Sequence, residues 1–324
     1  MGARRASFGD SQFVSTSHKV VFGSSLNMKE LEDNSVHLVV TSPPYFNAPF
    51  DYPGLFKTYK DFLTMMKGVA KELRRVMAQG RICCFVVDDM LVNGDKFPVV
   101  ADVTKTMMRA GFRYRDKIIW IKPKGYVRIS RRSGVILQHP YPMYFYPDNL
   151  QESILIFQKG KFDYSYLKQV SPEILEASRI DSKEFNSLGI ALTVWDDSSG
   201  ERNAIPDTWQ ITNVLPMKGR LEEGVAAFPD EIPRRLIKLF TFVGENVLDP
   251  FTGSGTTLKV AKDLRRNSFG YEIDVELRSI IAEKLGYNQT RLSDDKVEFV
   301  ERPDAEHLRT KLQKIVRQKE SAAT

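Results

Sequence analysis

The sequence predicts an α/β fold: an open, largely parallel sheet with helices on both faces. Three observations carry the prediction. Several short runs, Val36 to Val40, Arg81 to Val87, Ile118 to Ile121 and Ile154 to Phe157, are apolar almost throughout, as strands buried on both faces are. Stretches with apolar residues at helical spacing lie among them, such as Phe62, Met65, Met66, Val69, Ala70 and Leu73. Two strand-like runs stop at turns that no strand continues through. One is Thr41-Ser42-Pro43-Pro44-Tyr45; the other is Asp249-Pro250-Phe251-Thr252-Gly253-Ser254-Gly255, with a helical pattern (Leu258, Val260, Ala261, Leu264) directly beyond it.

The elements follow in order. Residues 1–17 are small, polar and Ser-rich, and mobility is expected there. Lys19 to Gly23 reads as a short strand, and Met28 and Leu31 suggest one or two helical turns before the strand at Val36. Residues 46–60 are rich in Phe, Tyr, Pro and Gly; they read as a loop that either folds over a ligand or packs its aromatics on the core. Asp61 is a candidate cap for the following helix, which Gln79-Gly80 is expected to end. Asp88-Asp89 ends the next strand and either faces a ligand or caps the loop. Pro98 starts a helix through Val103, Met107 and Met108. Pro233 starts another, with Leu236, Ile237, Leu239 and Phe240 inward, and Leu277 to Leu285 reads as a third. A strand near Val297 to Val300 precedes a charged tail.

Composition narrows the function classes. The 324 residues, 42% hydrophobic, suffice for one large domain with an insertion or for two domains. No apolar run reaches the ~18 residues of a membrane span. Met1-Gly2-Ala3-Arg4-Arg5 has no apolar stretch behind it, so no signal peptide is expected, and Ala6 stands where a myristoylation site needs Ser or Thr. Cys83 and Cys84 point to buried thiols in a reducing cytoplasm. His18, His37, His139 and His307 form no ligand spacing, so no metal is expected. The net charge of +6 leans toward a polyanionic partner.

Residues 246–257 read as strand, Gly-rich turn, helix: the start of a nucleotide-binding unit. About 20 residues after Gly253, a second strand-like run ends in Glu272, placed to accept hydrogen bonds from ribose hydroxyls. No Lys follows Gly255, so this is not a phosphate-cradling P-loop, and the third glycine of a dinucleotide site is missing. Asp249 would repel a pyrophosphate and suits a cationic cofactor with an α-amino group and a sulfonium. Alone, Gly-x-Gly could be an ordinary loop. Ser42-Pro43-Pro44-Tyr45 adds the second signal. Its stiff backbone can aim the Ser42 hydroxyl and the Ser42 and Pro43 carbonyls at one amino group, while Tyr45 offers a flat face to the ring that carries it. A bare proline turn is the other reading of that tetrapeptide.

Together, Ser42-Pro43-Pro44-Tyr45 and Phe251-Thr252-Gly253-Ser254-Gly255 resemble the paired motifs of the S-adenosylmethionine-dependent amino-group DNA methyltransferases, in the order of the family's β group. The resemblance spans most of residues 19–285. It implies a Rossmann-like methyltransferase fold, circularly permuted so that the catalytic half comes first, with an inserted target-recognition region. It implies S-adenosylmethionine as cofactor, double-stranded DNA as substrate, base flipping, and a companion restriction endonuclease. In the family, Ser at the first motif position usually accompanies N4-cytosine methylation and Asp accompanies N6-adenine methylation, so Ser42 points to cytosine N4. N6 of adenine, or an RNA base amino group, is the alternative.

Residue by residue, the resemblance implies catalytic roles for Ser42, Pro43, Pro44 and Tyr45. It implies cofactor contacts from Asp249, Pro250, Phe251, Gly253, Ser254, Gly255, Thr256, Thr257 and Glu272, with Thr41, Ser24, Phe228 and Pro229 beside them. Many relatives carry Gly-Asp where this chain has Gly23-Ser24, so the adenine contact there lacks its usual charge. DNA contacts are expected from the loop after Ile121, which holds five basic residues and no acid across 122–134, including Lys124, Arg128, Arg131 and Arg132; a plain solvated charge run is the other reading. Lys218 and Arg220 are further candidates. The expected organisation is a flexible 1–17, a catalytic half at 18–159, a recognition region at 160–225, a cofactor half at 226–300 and a charged tail at 301–324. Monomer and dimer are both compatible with it.

Overall fold

The computed structural model describes residues 15–44, 55–92, 95–121, 141–142, 151–187, 190, 192, 194–196, 228–287, 295–308 and 310. Its strands are β1 (Ser17–Phe22), β2 (Val36–Thr41), β3 (Met77–Val87), β4 (Met90–Val92), β5 (Asp95–Phe97), β6 (Arg113–Ile121), β7 (Gln151–Gln158), β8 (Val194–Asp196), β9 (Asn246–Asp249), β10 (Asn267–Glu272) and β11 (Lys296–Glu301). The helices are α1 (Tyr59–Val76), α2 (Val99–Arg109), α3 (Pro172–Ala177), α4 (Ser182–Ser187), α5 (Glu231–Phe240), α6 (Thr256–Asp263) and α7 (Arg278–Lys284).

Nine strands form one sheet in the order β11-β1-β10-β9-β2-β3-β7-β6-β8, and β4 and β5 form a separate ribbon. Within the large sheet β7 is antiparallel to β3 and β6, and every other pairing is parallel. The sequence explains why both faces are covered. Val39 belongs to the core cluster that packs on α1 and α2, whereas its neighbours Leu38 and Val40 belong to the cluster that packs on α5 and α6. Val20 and Phe22 face α7 in a third cluster, while Val21 between them turns to the first. Successive strand residues point to opposite faces, so a run apolar at every position needs helices on both. Cys83 and Cys84 follow the same rule on β3; both are buried, and burial pushes both thiols up.

Several local details differ from the sequence reading. Met28 and Leu31 are buried, but the segment forms turns and no helix. Side chains of α1 take its backbone groups instead: Glu72 accepts from the Met28 N–H at 2.8 Å, and Arg75 donates to the carbonyls of Met28 and Leu31 at 2.9 and 3.0 Å. The cap of α1 is Thr58, with Asp61 three residues on completing a capping box. Gly80 does not end the helix. The chain passes from α1 straight into β3 at Met77, because Val76 and Met77 are buried and Met77 already pairs with Val36. Asp89 accepts from the Val100 N–H at 3.0 Å, so it tethers the start of α2. β8 adds a strand inside 160–225, parallel to β6, and Phe185 and Ile190 are buried in the α5 cluster. His18 sits buried between the hydroxyls of Thr16 and Ser268 at 2.8 Å each, and burial lowers it to about 4.

The topology sets where a ligand can bind. From β9 the chain runs through α6 to β10, on one side; from β2 it runs through α1 to β3, on the other. β2 and β9 are neighbours, so their connections diverge and leave a crevice at their carboxyl ends. No helix among the described residues is long and apolar enough to cross a membrane.

Candidate active site

A cavity of about 400 Å³ opens at those carboxyl ends. Its walls follow the order of the sheet. β2 delivers Ser42, Pro43 and Pro44; β9 delivers Pro250, Phe251 and Gly253; β10 delivers Tyr271, Glu272 and Ile273; β1 delivers Gly23 to Leu26. Leu55, Phe56 and Met65 close one side, and Asp304 and Glu306 close another.

Thr41 and Asp249 join the two motifs. Thr41 Oγ1 donates to Asp249 Oδ1 at 2.6 Å, and the Phe251 N–H donates to the same oxygen at 3.1 Å. Asp249 is 2% exposed, and burial pushes its carboxyl up to about 6 against the pull of these bonds. It is absent from the cavity lining: it acts on the cavity by tying the end of β2 to the turn after β9. Thr257 is turned inward likewise, its hydroxyl donating to the Val40 carbonyl at 3.3 Å.

Glu272 holds the glycine turn. Its Oε2 accepts from the Gly253 N–H at 2.7 Å, and its Oε1 accepts from the Asp274 N–H at 3.0 Å. A carboxylate has about four acceptor positions, so one side chain can organise two turns and still meet a ligand. Gly255 opens α6 with φ of 86°, in the left-handed region, where a side chain would be strained. Ser254 and Thr256 face α7 instead of the cavity; Lys284 Nζ reaches their hydroxyls at 2.7 and 3.4 Å.

Eight of the residues singled out from the sequence thus share one cavity: Ser24, Ser42, Pro43, Pro44, Pro250, Phe251, Gly253 and Glu272. Thr41, Asp249, Ser254, Gly255, Thr256 and Thr257, expected at the cofactor, are not among its lining residues. Phe228 packs against the α5 cluster and Pro229 is buried at the head of α5, away from the lining. Tyr45, Lys124, Arg128, Arg131, Arg132, Lys218 and Arg220 lie outside the described residues. Sequence reasoning missed the wall made by Asp304 and Glu306. Their only signal is that they follow the strand-like run at Val297 to Val300.

Over residues 36–283 the chain matches the N6/N4 methyltransferase family model described as DNA methylase. It is similar to the Type II methyltransferase M.MjaI of Methanocaldococcus jannaschii, 34% identical over 322 residues that cover 89% of this chain and 98% of that one. It is 28% identical to the Type II methyltransferase M.MthZI of Methanothermobacter thermautotrophicus, over 89% of this chain and 83% of that one. Among solved structures, TTHA0409 of Thermus thermophilus, a putative DNA modification methylase complexed with S-adenosyl-L-methionine, superposes with a TM-score of 0.63 at 27% identity, covering 86% of this chain and 99% of that one. The PvuII cytosine-N4-specific DNA methyltransferase shares the fold, with a TM-score of 0.58 at 18% identity over 86% of this chain and 90% of that one.

Proposed function

The chain belongs to the N6/N4 DNA methylase family, and from that premise we propose that it transfers a methyl group from S-adenosylmethionine to N4 of a cytosine turned out of duplex DNA. It is an S-adenosylmethionine-dependent DNA amino-methyltransferase. The observation that supports methyl transfer to an amino group is that Ser42-Pro43-Pro44 shares one cavity with Pro250, Phe251, Gly253 and Glu272.

The cavity suits the cofactor. Glu272 is a buried carboxylate in its lining, able to take ribose hydroxyls, and Pro250, Phe251 and Ile273 add apolar surface to the same lining. When bound, the cofactor supplies a methyl group on a positively charged sulfur. The protein's part is placement. The Ser42 hydroxyl and the Ser42 and Pro43 carbonyls take the amino hydrogens of the target base, so that its nitrogen lone pair faces the methyl. Tyr45 stacks on the flipped ring, whose extrusion costs about a few kcal/mol. Asp249 and Thr41 keep the catalytic turn and the glycine turn in register.

Ser42, where an Asp would suggest adenine, supports cytosine as the target. Lys124, Arg128, Arg131 and Arg132 hold the phosphate backbone in this reading, with Lys218 and Arg220 in a recognition region between the halves. The Type II relatives support a setting in which methylation protects DNA from a companion restriction endonuclease. Ser42→Ala tests the assignment. Methyl incorporation into DNA should fall at least about 100-fold, while the Kd for S-adenosylmethionine changes by less than about threefold. Equal losses in both would remove Ser42 from the chemistry.

A further inference from the structure

We infer that Asp304 is a cofactor-binding residue, whose carboxylate accepts the exocyclic amino group of the cofactor's purine. The inference rests on the reading of this cavity as the S-adenosylmethionine site. The cavity crosses the ends of β2, β9, β10 and β1 in that order. Neighbouring strands are about 4.8 Å apart, so three steps span about 14 Å, the scale of an extended nucleoside joined to an amino acid. The methyl-bearing end belongs beside Ser42 on the β2 side, and Glu272 on β10 takes the ribose. The purine therefore lies toward β1, where the chain offers Ser24 and no acid of its own strand.

The segment after β11 supplies the acid. Asp304 lines the cavity there, and its Oδ2 accepts from the Ser24 N–H at 3.0 Å. Arg302 fixes the near end of the segment: its backbone N–H donates to Phe22 at 2.9 Å, and its guanidinium donates to the carbonyls of Ser24 and Asn27 at 3.1 and 2.7 Å and pairs with Glu30. The far end is fixed by Glu306, whose N–H donates to the Ile273 carbonyl at 2.7 Å and whose carbonyl accepts from Val275 at 3.0 Å. Asp304 is thus held between two anchors, one carboxylate oxygen on the Ser24 loop. Gly23 permits the approach: a Cβ there would lie 2.7 Å from Asp304 Oδ1. Both pieces of this wall, Gly23 to Leu26 and Arg302 to Glu306, lie outside residues 36–283, the part matched by the family model.

The test compares two ligands by titration calorimetry on the full chain: S-adenosylhomocysteine, and S-inosylhomocysteine, in which an oxo group replaces the amino group. The native chain should prefer the amino ligand by about 10- to 100-fold, the worth of one bond to a charged acceptor. Asp304→Ala should cut that preference to within about threefold. Asp304→Asn keeps an oxygen for the Ser24 N–H and turns an NH2 toward the purine, so the preference should shrink further or reverse toward the oxo ligand. Glu306→Gln should leave it unchanged. If both Asp304 variants weaken the two ligands equally, Asp304 only braces the Ser24 loop and the inference fails. A preference that moves in Glu306→Gln and not in Asp304→Asn overturns it too. Failure of the native chain to bind either ligand would overturn the cofactor reading itself.

Discussion

Glu272→Gln leaves the cavity's size almost unaltered, yet it should weaken cofactor binding by about 5- to 150-fold. The two oxygens of Glu272 accept from two backbone donors, Gly253 N–H at 2.7 Å and Asp274 N–H at 3.0 Å. An amide has one oxygen, so its NH2 must face one of those donors. Losing one bond to a charged acceptor and leaving a buried N–H without its partner costs ~1–3 kcal/mol, and each 1.4 kcal/mol is about tenfold in Kd. In the free variant the glycine turn is released and must be re-formed around the ligand, so the cost appears in affinity. Calorimetric titration with S-adenosylhomocysteine, with thermal unfolding of the free protein alongside, separates the two effects. A Kd within twofold of the native chain, with the whole loss in Tm, would refute the idea that Glu272 organises the cofactor turn.

Two further predictions follow from the charges. Burial pushes Asp249 from its ordinary 3.8 up to about 6, so the unfolded chain releases this proton at a lower pH than the fold does. Stability from this group is therefore fully present below about pH 4 and falls as pH rises toward 6, by up to ~3 kcal/mol. Asp249→Asn should lose that fall; urea unfolding at both ends of the range, showing the same pH dependence in variant and native chain, would contradict it. Neutralising Arg131 and Arg132 together should flatten the plot of log K for DNA against log salt by a slope change of about 1 to 2. An unaltered slope would take that loop out of the interface.

The parts of the site that were legible in the sequence are those made by contiguous residues. Ser42-Pro43-Pro44 directly follows β2 and Gly253 to Gly255 lies in the turn between β9 and α6, and strand ends are where an open α/β sheet binds ligands. The apolar runs at Val36 and Arg81 were legible as strands for the same local reason. What was hidden depends on partners far along the chain. β11 pairs with β1 and so carries Arg302 and Asp304 to Ser24, across more than 270 residues. No periodicity in a charged tail records that pairing. The non-helical run at Met28 to Leu31 is set by Glu72 and Arg75 from α1, which occupy its backbone groups. Asp249 was legible as a key acid, but its direction was not: the bond from Thr41 that turns it inward exists only because β2 and β9 are neighbours.

Incorporation of labelled methyl from S-adenosylmethionine into unmethylated mixed-sequence DNA, followed by nucleoside mass spectrometry, decides which amino group the chain methylates. The label should appear in N4-methylcytosine. Label in N6-methyladenine instead would contradict the role given to Ser42, and label in neither would contradict DNA as the substrate.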